Sequence, residues 1–348
     1  MNSSNSEQRY SPLWELIVAR IKEFHRTPHA IFWVYGFPLI MAAALGIAFQ
    51  NRPIEKIRVD VQDHGTAELL SAFAADVRLE VTEVSAAEAR RRLARARSDV
   101  IVVPGDPPEF VYDPNRAESV LARAAAENAI LKAKSPSTSP ARDLTIEEPG
   151  GRYIDFLIPG LLGMNVMGGG LWGIGFVIVD MRIRKLLKRL IATPMRRSDF
   201  LLGLAISRLI FTAIEVLILL AFAYFAFNVW VRGRILDLVT LIVLGAAAFA
   251  GVGLLVASRV QTTEAVSGLM NLVMLPMWLL SGVFFSSERF PESIQPVIKA
   301  LPLTALNDAL RAIMLDGASL ATQWREIAVL AAWGTISFFL ALRLFRWN

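Results

Sequence analysis

Cysteine is absent from this chain of 348 residues, so neither a disulfide framework nor a thiolate metal site is available to it. Histidine is nearly absent too: His25, His29 and His64 are the three. His25 and His29 stand four apart, a spacing that sets two ligands on one helical face. Pro28 interrupts that face and no third ligand is near, so no metal centre is expected. Charge is scarce: Lys, Arg, Asp and Glu make up 19% of the residues, against about 25% in an ordinary soluble chain. No Gly-x4-Gly-Lys-Ser/Thr loop occurs. The chain therefore brings no P-loop for nucleotide, and no cofactor or catalytic site of its own is expected.

What it has is apolar length. Residues of hydrophobic type are 54% of the whole, and six stretches approach the roughly 20 residues that cross a bilayer. They are Ile31 to Phe49, Ile154 to Val179, Phe200 to Phe227, Ile235 to Ala257, Ala265 to Phe285 and Glu326 to Leu342. The first starts too late and runs too long for the apolar core of a signal peptide. Orientation follows from Lys and Arg in short loops. With the N-terminus inside, fourteen basic residues fall in the inner segments and six in the short outer ones. Both termini are expected in the cytoplasm.

Between the first two spans lie about a hundred residues with 15 basic and 17 acidic side chains. Their pattern is that of a small α/β unit. KIRVDV (Lys56 to Val61) and VRLEVTEV (Val77 to Val84) alternate like strands, and DVIVVP (Asp99 to Pro104) reads as a buried strand. Ser85 and Glu88 match a capping box ahead of a basic helix. The run ARRRLARAR there reads as a solvated helix face rather than a nucleic-acid site, because it lies outside the membrane. KSPSTSPARD is a polar linker back to the bilayer.

Several features within or beside the bilayer carry further expectations. Ser11 and Pro12 open an N-terminal helix whose Leu13, Ile17, Ile21 and Phe24 share a face, as in an interfacial amphipathic helix. Gly169 and Gly173 in span two are four apart, a spacing that serves either close helix packing or a hinge. Glu215 in mid-span three is costly there, and is either functional or a structural partner of another group. Arg208, two turns earlier on the same face and nearer the cytoplasm, is a candidate for its partner or for a headgroup contact. Asn165 and Asn271 are the other intramembrane polar candidates. The segment from Ser281 to Gly317 is too polar to span and too apolar for an ordinary loop. Its prolines, among them Pro291 and Pro302, divide it into short helical pieces that fit a re-entrant hairpin, with Arg311 near its end.

The stretch RKLLKRLIATPMRRSDFLLG, Arg184 to Gly203, packs six basic residues between spans two and three. Topology alone accounts for such charge. A docking role is the sharper alternative: Leu186, Leu187 and Leu190 share one helical face, Pro194 ends the helix, and Ser198 and Asp199 are placed to cap the next.

Four parts of the chain resemble the permease subunit of ABC-2 type transporters, in the subgroup with a large extracytoplasmic domain after the first span. They are FHRTPHAIFWVYGFPLIMAAALG, DVIVVP, LLKRLIATPMRRSDFLLG, and NLVMLPMWLLSGVFFSSERFPESIQPVIKALPLTALNDALR. The resemblance implies a homodimer or heterodimer of permeases in a bacterial inner membrane. It also implies a separate ATP-binding subunit that carries ATP and Mg. In that reading 180–200 is the cytoplasmic coupling loop, with Arg184, Arg196 and Arg197 beside the leucines. Where the family commonly has acidic residues ahead of the leucines, this chain has MRIRKLLK, which suits a partner with an acidic groove.

The fold expected is thus a mainly α polytopic membrane protein. Residues 1–30 form an interfacial helix and 31–49 the first span. Residues 50–152 form the extracytoplasmic α/β domain with its linker. Residues 153–348 form a five-helix transmembrane domain with an outer re-entrant segment at 286–318. The function expected is export driven by the separate ATPase. The alternatives are a mechanotransmitting subunit that moves its outer domain without transport, and a membrane receptor, which the six spans do not fit simply. A periplasmic adaptor is an open partner; nucleic acid is not one.

Overall fold

The computed structural model describes residues 12–50, 56–63, 65–134, 151–191 and 197–344. The chain divides into two units, one from Asn51 to Ile146 and one made of the rest. The Ser11 cap, His64 and the linker call after Lys134 lie outside the described residues.

Among the described residues of the larger unit six helices are long and apolar enough to cross a membrane: Pro28–Phe49, Tyr153–Ile183, Leu202–Phe227, Ile235–Ala257, Thr263–Leu280 and Leu320–Leu344. They are spans one to six below. Span two is central, with 67% of its apolar window buried, against 17% for spans one and six. It packs on spans one, three and four, and span four in turn packs on span six. The helix is α-helical from Tyr153 to Gly170 and π-helical from Leu171 to Phe176. Such a wide turn rotates the faces that follow it. The reason for the central place is small side chains: a Cβ at Gly170 would run into the Phe249 backbone, and one at Gly175 into the Gly253 carbonyl. Spans two and four therefore meet backbone to backbone.

Span five ends at Leu280, short of the expected Phe285, because Ser281 caps it and Gly282 takes φ +70°. A left-handed turn there suits glycine. The prolines then start the short elements that follow. Pro291 caps the turn Glu292–Ile294, Pro296 opens Gln295–Lys299, and Pro302 opens the buried helix Pro302–Met314. Pro at the first helical position loses no hydrogen bond and presets φ. The N-terminal helix Pro12–His25 lies along span three. Ile17 is buried there, and the Phe24 ring stands 4.5 Å from that of Phe211.

The smaller unit is a four-stranded sheet in the order β2-β1-β3-β4, with β1 Ile57–Gln62, β2 Leu79–Val84, β3 Val100–Val103 and β4 Glu109–Val111. β1 runs parallel to both neighbours and β4 antiparallel to β3. Val59 and Val61 on β1, with Val100 and Val102 on β3, form one core with Phe73 from helix Ala67–Ala74 and Ala122 and Ala126 from helix Ala117–Lys134. The alternate residues, Asp60 and Ile101, are also buried, and helix Ala86–Ala94 packs on β1 and β3. The capping expected at Ser85 is not made: its side chain forms no cap bond, whereas Thr66 accepts from the Leu69 amide at 3.4 Å.

Candidate functional site

Three places hold the residues singled out above. The first is where span two turns toward span three. Asp180 accepts from Arg184 Nε at 2.9 Å. Lys185 takes φ +58° and starts the short helix Leu186–Ile191. Arg184, Lys185 and Arg189 are exposed and Leu186 is half-buried. Leu187 is a correction. It is 2% exposed and packs with Ile174, Ile178, Phe200 and Leu204 of its own chain, so it does not belong to an open docking face. Helical periodicity marks an apolar face without saying what covers it. Pro194 and Arg196, and the side chains of Leu190 and Arg197, lie outside the described residues. Beside this turn runs a small cleft of about 90 Å³ between Leu16, Arg20 and Glu23 of the N-terminal helix and Met181, Phe200 and Gly203.

Arg182 sits at the same end with a role its sequence position did not reveal. Its Nη1 donates to the carbonyls of Ala257 (2.9 Å) and Val260 (2.7 Å) and its Nη2 to that of Ser258 (3.4 Å). The last carbonyls of a helix have no partner within it, and a cation there also meets the negative end of the helix dipole. Arg182 thus fastens the end of span two to the end of span four.

The second place is the middle of the bundle. Arg208 and Glu215 form an ion pair in which one nitrogen, Nη2, donates to both carboxylate oxygens, at 2.8 and 2.9 Å. Only 10% and 3% of the two side chains are exposed. Among the described residues Arg208 Nε has no hydrogen-bond partner, so the two-nitrogen fork that guanidinium offers to carboxylate is not used. Gly169 and Gly173 make room for this arginine. A Cβ on Gly169 would overlap the guanidinium, and one on Gly173 would stand 2.7 Å from Arg208 Cδ. The glycine spacing is a groove for a side chain from span three, while Gly170 and Gly175 make the close helix contact. Tyr35 of span one lies within electrostatic reach of both charges. Asn165 is half-buried and Asn271 exposed, and among the described residues neither joins this pair.

The third place is the turn after span five. Asn307 Nδ2 donates to the Ser281 carbonyl at 2.8 Å, and Arg311 Nη2 donates to the Gly282 carbonyl. Arg311 also lies 3.8 Å over the Phe156 ring. Helix Pro302–Met314 therefore takes the carbonyls left free at the end of span five. The Tyr153 hydroxyl donates to the Phe284 carbonyl at 2.9 Å, tying the start of span two to the same turn. Arg152 closes the start of span two by bonding Asp155 (2.8 Å) and the last carbonyl of span three, Phe227 (2.9 Å). Asn307, Arg152 and Arg182 escape a sequence reading because a polar residue at a helix end gives no sign of which neighbour it caps. Pro291 and Pro302 act here through backbone geometry.

The arrangement is that of a helical membrane domain fastened by buried polar links. Among the described residues no cluster of three or more His, Asp or Glu is placed to hold a metal.

Sequence comparison names the family. The profile described as "ABC-2 family transporter protein" matches residues 29–343, and the chain belongs to that family. It is similar to ABC transporter G family member 20 of Dictyostelium discoideum, 29% identical over 198 residues, 56% of this chain and 27% of that protein. It is similar to Nodulation protein J of Rhizobium meliloti (strain 1021), 28% identical over 56% of this chain and 74% of that protein. The probable multidrug ABC transporter permease YbhR of Escherichia coli (strain K12) is 25% identical over 50% of this chain and 48% of its own length. The match thus spans about a quarter of the Dictyostelium protein and about half of YbhR.

Proposed function

We propose that this chain is the permease subunit of an ABC exporter. It supplies the path through the bilayer, and a separate ATP-binding subunit supplies hydrolysis with its own ATP and Mg. Two permease chains, identical or related, form the working unit in a bacterial inner membrane. Both termini lie in the cytoplasm and the α/β unit on the far side. The observation that carries this reading is the reach of the family match, which takes in all six apolar helices and the α/β unit, in a sequence with no P-loop. The names of YbhR and of the linearmycin resistance permease LnrN of Bacillus subtilis support export of small molecules.

The docking face for the ATPase is the exposed set Arg184, Lys185 and Arg189 with the open edge of Leu186. Helix Pro302–Met314 and the turns before it form the re-entrant segment at the outer end, where buried irregular backbone is tolerated because side chains satisfy it. The compactness of the α/β unit favours a second reading, in which hydrolysis moves that unit and nothing crosses. Uptake of cargo into inverted vesicles separates the two, since only the exporter accumulates it.

The test is co-purification from native membranes. Lys185→Glu with Arg189→Glu places negative charge on the docking face, and is expected to weaken capture of the ATPase roughly tenfold, about 1.4 kcal/mol. The variant should remain folded. Full retention of capture and of partner-stimulated hydrolysis would leave the loop as a topology signal only. Glu118→Cys, on an exposed helix position, should react with an impermeant thiol reagent in sealed cells, and Arg189→Cys should not. Ser119 is unsuitable as a probe because it is fully buried.

A further inference from the structure

Helix Ala117–Lys134 spends one side on the core of the α/β unit and leaves the other bare. Ser119, Ala122, Ala126, Ala129 and Ile130 are buried. On the opposite side Leu121 is 67% and Leu131 60% exposed, and Ala117, Ala124 and Asn128 are exposed with them. The steps from Ala117 through Leu121, Ala124, Asn128 and Leu131 are four, three, four and three residues. That is the heptad seam of a coiled coil, with Leu121 and Asn128 at a positions and Ala117, Ala124 and Leu131 at d. In the same register every buried residue falls at b, c or f, so the whole seam points away from the sheet.

Two features select what covers it. A single Asn at an a position between leucines is a register device in parallel two-stranded coils, where it meets its own copy across the axis. Glu127 falls at g and Lys132 at the e position five residues on. In a parallel pair Glu127 of one chain faces Lys132 of the other. In an antiparallel pair like charges face each other.

We propose that this face pairs with the same face of a second copy of the chain in a short parallel coiled coil, joining two α/β units. The proposal rests on the dimer reading above and adds a second contact to it. Two heptads are too short to hold free chains together. Attachment to one membrane dimer raises the effective concentration of the seam and makes the pairing favourable.

The absence of cysteine supplies a clean background for the test. Leu121→Cys, Ala124→Cys and Leu131→Cys, one at a time in the full chain, bring two thiols together across a parallel seam within the ~3.5–4.5 Å between Cβ atoms that a disulfide needs. Mild oxidation of native membranes should convert each mainly to a covalent dimer. Glu88→Cys, exposed on the helix that packs on the other face of the sheet, should remain monomeric on denaturing gels. Glu127→Lys should reduce the Ala124→Cys cross-link several-fold, and Lys132→Glu added to it should restore the cross-link. Absence of seam cross-links in particles that native mass spectrometry weighs as permease dimers overturns the proposal and leaves the dimer reading intact. Particles that weigh as single permeases overturn both. Cross-linking only between Leu121→Cys and Leu131→Cys chains mixed together overturns the parallel alignment.

Discussion

Two buried ion pairs, one in each unit, meet the same physical problem under different conditions. In the α/β unit Asp60 is fully buried on β1 and bonds Arg92 at 2.9 Å, yet 28% of the Arg92 side chain remains in solvent. In the membrane unit neither Arg208 nor Glu215 has such an outlet. Losing Asp60 at the first site leaves an arginine that already reaches water. Losing either partner at the second strands a charge in a medium of low dielectric constant, where the cost is several kcal/mol. An arginine–carboxylate pair is therefore a tolerant contact in one place and an obligatory one in the other.

The largest effect that tests this contrast is expected from Arg208→Leu alone. It leaves Glu215 without a partner, and a loss of about 3–5 kcal/mol is expected, seen as a steep fall in the folded fraction in detergent thermal unfolding. Glu215→Leu should act similarly. The double variant should recover most of the loss, because a buried pair replaced by apolar side chains of like volume is often neutral. Asp60→Leu in the α/β unit, which leaves the part-exposed Arg92, should cost markedly less than Glu215→Leu. Equal losses for Asp60→Leu and Glu215→Leu would break the comparison.

A smaller effect separates the groove from the helix contact. Gly169→Ala pushes against the end of a flexible arginine, while Gly170→Ala pushes against the Phe249 backbone. The second is expected to cost about 1–3 kcal/mol, the range for overpacking, and the first less. In the Arg208→Leu, Glu215→Leu background Gly169→Ala should become milder still and Gly170→Ala should not change. Thermal unfolding of the four combinations checks this coupling.

Much of this was legible in the amino-acid sequence, for reasons that differ by region. The strands of the α/β unit alternate because each has two unlike faces, and the spans are visible because a bilayer demands length and apolarity together. The Gly169 and Gly173 spacing was legible as a narrow face. That it holds Arg208 was not, because spacing along one helix carries no information about which neighbour lies opposite. Leu187 fails in the same way: its face is apolar whether the cover is a partner or its own Phe200. Ser85 shows the limit of a local motif. Its backbone takes the cap conformation while its side chain makes no bond.

The smallest effects belong to two aspartates of the α/β unit whose pKa values move in opposite directions. Burial raises that of Asp60, against the pull of Arg92. The hydrogen bonds from Arg78, against some burial, hold that of Asp76 at about 2. Asp60 keeps its proton longer in the folded state, so its contribution is fully present below an unfolded value of about 3.9 and is lost as pH rises through the raised folded value. Asp76 does the reverse: its contribution is present above about 3.9 and is lost as pH falls toward about 2. Arg78 is 50% exposed, so solvent screening keeps the Asp76 contribution below about 1 kcal/mol. Hydrogen exchange along β2 and β1 in the full chain, measured from pH 3 to 6 and corrected for intrinsic rates, reads both. Asp76→Asn should flatten the loss of protection on the acid side, and Asp60→Asn should flatten the loss on rising pH. A change of slope in the same direction for both would show that Asp60 is governed by Arg92 rather than by burial, and the difference between the tolerant pair and the obligatory one would then rest on Arg208 and Glu215 alone.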